Sequence, residues 1–158
     1  MLQWQFSFYS QQLNEITLTQ PIKTSQKIAY FIFRITLGIT LLTFGAKKLF
    51  IQGPGNFADY MMEQFAGLLP EFMLIPFVWT LPYAELLLGL FLTLGLFSMY
   101  TLTATGLLVV ALTFGAVLGV DPATTANNLI YAIITFFLLW NITANIWSLD
   151  NKLGRSYE

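Results

Sequence analysis

The chain has 158 residues, of which 56% are hydrophobic and 9% charged, and its net charge at neutral pH is −1. It contains no cysteine and no histidine, which excludes a disulfide relay, a thiol nucleophile, a thiolate-bound iron–sulfur cluster, imidazole-ligated haem and an imidazole base. So few charges in so apolar a chain describe a membrane protein, and the absence of a basic footprint speaks against a nucleic-acid partner.

Residues 1–27 form a polar, glutamine-rich arm in which Leu2, Trp4, Phe6 and Phe8 alternate with Gln3, Gln5 and Ser7. The alternation suggests a short extended segment, and Trp4 and Tyr9 suit the membrane interface, where amphipathic rings collect. A basic start, an apolar core and a small-residue cleavage site do not occur in sequence here, so a removable signal peptide is not expected.

Four apolar runs follow, at Ile28–Phe50, Phe72–Phe97, Tyr100–Val120 and Ala126–Trp147. Each is long enough for a bilayer core that takes about 20 helical residues to cross. The runs are continuous rather than alternating, so the predicted fold is an all-α integral membrane four-helix bundle, not a β-barrel. Residues 28–150 make up this domain and residues 151–158 a short C-terminal tail.

Arg34 lies six residues into the first run. An arginine at that depth costs roughly 2.5–3.5 kcal/mol on insertion scales, so it is expected to face a partner, a cavity or a ligand. At about 100° per residue, Gly38, Leu41, Gly45 and Lys48 all fall within about 40° of Arg34, which defines one stripe. Its glycines let a neighbouring backbone approach, and this stripe is expected to be the buried one.

Between the first two runs, Gly53-Pro54-Gly55 ends the first helix, and Phe57, Met61, Phe65 and Leu68 then recur at helical spacing. This predicts a short amphipathic helix in the headgroup layer, acting as a spacer or as a lid. In the second run Glu85 sits about 20 Å from one membrane edge and Arg34 about 9 Å from the other, nearly the same level in a core of about 30 Å. A buried Arg34–Glu85 pair is therefore expected, approached by Tyr83 or Tyr131. Such pairing lowers the burial cost of both ions. Pro76 and Pro82 either kink this span or mark its start.

No charge occurs between Glu85 and Asp121, so spans 2 and 3 should form a close hairpin turning at Phe97, Ser98 and Met99. Gly115-x-x-x-Gly119 predicts a close-packing face on span 3, and Thr101, Thr103, Thr105 and Thr113 are expected to bond their own helix. On span 4, Asn128, Tyr131, Thr135, Asn141 and Asn145 form a polar strip suited to interhelical hydrogen bonds. Lys23, Lys27, Lys152 and Arg155 share the side of the termini, whereas Lys47 and Lys48 lie opposite with Asp59, Glu63, Glu71 and Asp121. With an even number of spans, this bias puts both termini in the cytoplasm.

Arg34-x-x-x-Gly38, Gly45-x-x-Lys48-Leu49, Glu85-x-x-x-Gly89 with Gly95-Leu96, and Ser148-Leu149-Asp150 together resemble the DoxX/DoxD family of small four-helix membrane proteins. The resemblance covers nearly everything after the arm. It implies residence in a bacterial-type inner membrane, association with other subunits of membrane oxidoreductase complexes, and a quinone as the candidate cofactor. The residues suited to such a site are Arg34, Lys48, Tyr83 and Tyr131 as donors and Glu85 as acceptor or proton relay; no catalytic residue or metal ligand stands out.

Three functional readings follow. The first is a non-catalytic anchoring or assembly subunit of a larger membrane electron-transfer complex, favoured by the lack of metal ligands, nucleophiles and thiols. The second is a quinone-interacting subunit, with Arg34, Glu85 and Lys48 at its centre. The third is a small transporter or lipid binder, a reading that usually goes with repeated halves. Under the first two, Arg34 and Glu85 are respectively a structural pair or part of a ligand site.

Overall fold

The computed structural model describes residues 22–155 and Tyr157. The extended arm predicted at the N-terminus therefore falls largely outside the described residues. Six α-helices are present among them: α1 Thr24–Ala46, α2 Pro54–Gln64, α3 Glu71–Leu94, α4 Ser98–Leu118, α5 Pro122–Trp140 and the one-turn α6 Leu149–Lys152. A π-helical segment, Lys47–Gln52, prolongs α1, and a 3-10 turn, Ile142–Ala144, follows α5. Four of these helices are long and apolar enough to cross a membrane, as the continuous apolar runs require once each backbone must satisfy its hydrogen bonds internally.

The boundaries differ from the sequence reading at several places. Span 2 ends at Leu94 rather than Phe97, span 3 runs Ser98–Leu118 rather than Tyr100–Val120, and span 4 begins at Pro122 rather than Ala126. The turn read at Phe97, Ser98 and Met99 has its last two residues already in α4. Residues Thr24–Lys27, assigned to the arm, already form the first turn of α1. The fourth span ends at Trp140, not Trp147. The apolar residues after it turn through Ile142–Ala144 and lead back under the bundle to α6. Pro76 and Pro82 lie inside a continuous α3, so neither marks its start.

The first two spans form the tightest pair. An added Cβ on Gly38 would lie 2.8 Å from Thr93 N, and one on Gly45 2.5 Å from Leu86 N. A Cβ on Gly89 would overlap the Leu42 backbone. Without a hydrophobic effect between helices in lipid, this backbone contact is what packing can use. Four members of the predicted stripe, Arg34, Gly38, Leu41 and Gly45, are accordingly buried, joined by Tyr30 and Leu37, whereas its fifth, Lys48, lies in the π-helical segment and is 21% exposed.

The apolar interior has two parts. Tyr30, Leu37, Leu41, Leu92, Leu102, Leu138 and Ala144 pack at the end nearer the termini. Phe57, Ala58, Phe65, Leu74, Val78 and Leu81 pack at the opposite end, where α2 folds over α3. The predicted amphipathic helix exists and is more than a spacer, since it buries Phe57 and Ala58 and, just beyond its end, Phe65.

Candidate functional site

The predicted Arg34–Glu85 pair does not form. The glycine contacts set the register of α1 against α3: Gly38 faces Thr93, Leu42 faces Gly89 and Gly45 faces Leu86. Continued in the same antiparallel steps, this places Arg34 level with Phe97 and Glu85 level with Ala46, about 18 Å apart along the helix axis. The depth argument assumed that all of span 2 lies beside span 1, whereas the first turns of α3 pack against α2. The two ions belong to separate polar centres.

At the end nearer the termini, Arg34 is 1% exposed. Its Nη1 donates to Asn145 Oδ1 at 2.8 Å and its Nη2 to the Trp147 carbonyl at 2.7 Å. Asn145 Nδ2 donates in turn to Ser98 Oγ at 2.7 Å. The guanidinium lies against Gly95, whose φ of 67° and lack of a side chain both serve this position. Asp150, fully buried, accepts from Phe97 N at 2.8 Å, Ser98 N at 2.7 Å and the Tyr157 hydroxyl at 2.6 Å. Asp150 thus satisfies donors at the start of α4 that have no intrahelical partner, while its own N–H donates to the Gly95 carbonyl at 3.0 Å. Burial raises the cost of ionising Asp150, but the hydrogen bonds from Tyr157, Ser98 and Phe97 outweigh it and hold the carboxyl below its ordinary range. This centre staples α1, the hairpin turn and the C-terminal segment together.

The polar strip predicted on span 4 contributes unequally to that staple. Asn145 provides interhelical bonds, whereas Thr135 and Asn141 bond the carbonyls of Tyr131 and Phe137 on their own helix. Asn128 Nδ2 and Thr105 Oγ1 are buried without a hydrogen-bond partner among the described residues; Thr103 and Thr113 bond their own helix as expected. Replacing Asn145 with leucine is expected to destabilise the bundle by about 2–3 kcal/mol, because a buried guanidinium N–H and the Ser98 hydroxyl lose their partner. Thermal unfolding in detergent micelles measures this, and Asn141→Leu, at a half-buried position outside the network, should have the smaller effect.

The second centre is at the opposite end. Lys48 Nζ lies 2.6 Å from both carboxylate oxygens of Glu85, which is 2% exposed, against 21% for the lysine. The Phe57 ring of α2 covers the ammonium, its centroid 5.1 Å away, within range of a cation–π attraction. Lys48 opens on a cavity of about 450 Å3 between α2, α3, α4 and the start of α5. Phe65, Leu69, Phe77, Leu81 and Leu112 provide apolar walls, with Gln64, Asp121 and Thr124 as polar lining.

Lysine carries three N–H donors, and Glu85 engages two. No other acceptor reaches Lys48 Nζ among the described residues, so one donor is left for an acceptor in the cavity. The π-helical segment that carries Lys48 is of a kind that occurs often at functional sites.

Of the sequence-predicted site residues, Lys48 and Glu85 are brought together and Arg34 is placed elsewhere. Tyr83 is 49% exposed and does not line the cavity. Tyr131 packs on the apolar core nearer the termini. Gly115 and Gly119 were read as a helix-packing face; instead they line the cavity, with the edge of Phe65 3.7 and 3.6 Å from where their Cβ atoms would be. The sequence reading missed the cavity lining, although the amphipathic spacing of Phe57, Met61 and Phe65 was its available signal.

Comparison with protein-family models, with curated proteins and with solved structures gave no match.

Proposed function

We propose that this chain is a small DoxX-like subunit of a membrane electron-transfer complex, with cytoplasmic termini in a bacterial-type inner membrane, and that its lidded cavity holds the ring of a quinone. The observation that carries this reading is Lys48, a donor anchored by a buried carboxylate at the edge of a mostly apolar cavity of about 450 Å3. Ligand sites have this composition and size: mostly apolar walls of about 300–1,000 Å3 with a few placed polar groups.

The quinone supplies two-electron, two-proton chemistry when bound, and a partner subunit supplies the electrons. The chain's own residues bind and orient. Lys48 donates its remaining N–H to a ring carbonyl, and Glu85 fixes the direction of that donor. Phe57 of α2 covers one side of the ammonium, and partial shielding from water strengthens the hydrogen bond. Arg34 takes no part in binding on this reading; its role is the staple at the other end. Anchoring of a partner remains compatible with the same fold, but the cavity favours a ligand-holding subunit over a plain anchor.

The test is titration of the purified protein with a short-tailed benzoquinone, read by native mass spectrometry. Lys48→Met is expected to weaken binding about tenfold, the equivalent of one hydrogen bond to a charged donor. Gly115→Leu, which places a side chain in the slot, should abolish it, whereas Tyr83→Phe should leave it unchanged. Equal binding by the wild-type protein, Lys48→Met and Gly115→Leu rejects this cavity as the quinone site.

A further inference from the structure

Resting on the reading of the cavity as a ligand site, we infer that Glu85 sets its selectivity: by neutralising Lys48, it makes the cavity a site for uncharged, lipid-soluble rings and closes it to anionic amphiphiles such as fatty acids.

A lone lysine at the end of an apolar slot is the usual arrangement for capturing a carboxylate or phosphate head, since a charged donor strengthens such a bond about twofold over a neutral one. Here the ammonium is already matched. Both carboxylate oxygens of Glu85 stand 2.6 Å from Nζ, and Glu85 itself is buried behind it.

Among the described residues, the other faces of the ammonium and of the cavity bring no second cation. From α2 comes the Phe57 ring. From α4 come Ala111, Leu112, Gly115 and Ala116, all uncharged. From the start of α5 comes Asp121, the only other charged residue in the lining. Its carboxylate is held below the ordinary range by hydrogen bonds from the Thr124 side chain and backbone, so it is ionised at neutral pH. The cavity and its counter-ion therefore sum to one cation and two anions.

An incoming carboxylate would have to displace Glu85, which would bury that ion alone, or lie beside it as a like charge. Either is strongly unfavourable for a buried ion. A quinone carbonyl needs only the unused N–H and brings no charge. The acidic residue behind the lysine thus works mainly by exclusion, the repulsive half of specificity.

Native mass spectrometry in maltoside micelles, with a short-tailed benzoquinone and with laurate as separate probes, tests this. The wild-type protein is expected to take the benzoquinone at least tenfold more tightly than laurate. Glu85→Gln keeps the shape and one acceptor but frees the ammonium, and should raise laurate affinity at least tenfold. The double variant Lys48→Met/Glu85→Gln should lose that gain. Laurate binding that is the same in wild-type and Glu85→Gln protein overturns the inference, as does a gain that survives removal of Lys48. Failure of benzoquinone to bind the wild-type protein, with the laurate contrast intact, rejects the quinone reading and leaves Glu85 as the excluder of anions. If Glu85→Gln is not monodisperse, Glu85→Met, which fills a similar volume without charge, takes its place, with the same tenfold rise in laurate affinity expected and an unchanged value overturning the proposal.

Discussion

Replacing Gly89 with leucine is expected to force α1 and α3 apart and to cost about 3 kcal/mol or more, read as a fall in the thermal unfolding midpoint in micelles. A Cβ there would meet the backbone of Leu42 and lie 2.8 Å from the Gly38 carbonyl oxygen. These are main-chain atoms of a helix, so no rotamer change relieves the overlap and the whole of α1 must move. The same contact fixes the level of Lys48 against Glu85, so benzoquinone binding should fall together with stability. Gly55→Ala is the matched control: nothing lies within 4 Å of an added Cβ there, and the residue is inside helix α2. That change should be neutral or stabilising by up to about 1 kcal/mol, the helix-propensity difference. Equal effects at both glycines would mean that backbone contact does not hold the first two spans together.

The glycines also show what the sequence contained and where reasoning from it fell short. Apolar runs of spanning length specify the four membrane helices without ambiguity, because lipid leaves a backbone no other open arrangement. The burial of the Arg34, Gly38, Gly45 stripe was equally legible, since it follows from helical geometry alone. The pairing of ions was not. It rested on depth counted from the ends of apolar runs, and those ends are poor rulers when a connection folds back on the bundle. Here α2 occupies the first turns of α3, which shifts Glu85 toward the Lys48 end. Aligning the glycines with each other would have given the correct register, because a glycine in one membrane helix implies a close backbone in the other. Lys48, on the same stripe as Arg34, would then have emerged as the partner of Glu85.

The cavity was beyond reach for a different reason. Gly115 and Gly119 read as a packing motif on any helix, and only the placement of Phe65 beside them makes them the wall of a slot. That placement depends on where the chain turns after α2, through Gly67 with φ 76°, which spacing alone does not specify. Likewise, Ser148-Leu149-Asp150 stood out in the sequence as a motif, but its physical task became visible only once the 3-10 turn after α5 brought it beneath the α3–α4 hairpin.

Replacing Asp150 with alanine is expected to have the second large effect, about 3–5 kcal/mol of lost stability. Two backbone donors, Phe97 N and Ser98 N, would lose a charged acceptor, and the first of them belongs to a residue held at φ 48°. Hydrogen bonds to charged groups contribute about 1.5–3 kcal/mol each, and a buried donor left unsatisfied costs about 1–3 kcal/mol. Asp150→Asn keeps one acceptor and turns an amide N–H toward the other donor, so it should cost about half as much. The pH dependence separates this role from simple packing. Because the folded-state pKa of Asp150 is depressed, its contribution is complete above the ordinary aspartate value of about 3.9 and is lost as pH falls through the lower folded value. The wild-type unfolding midpoint should therefore drop more steeply below about pH 4 than that of Asp150→Asn, and the two curves should converge. Parallel curves across that window would show that the buried carboxylate gives the hairpin no charge-dependent support. The tail would then hold the turn by shape alone.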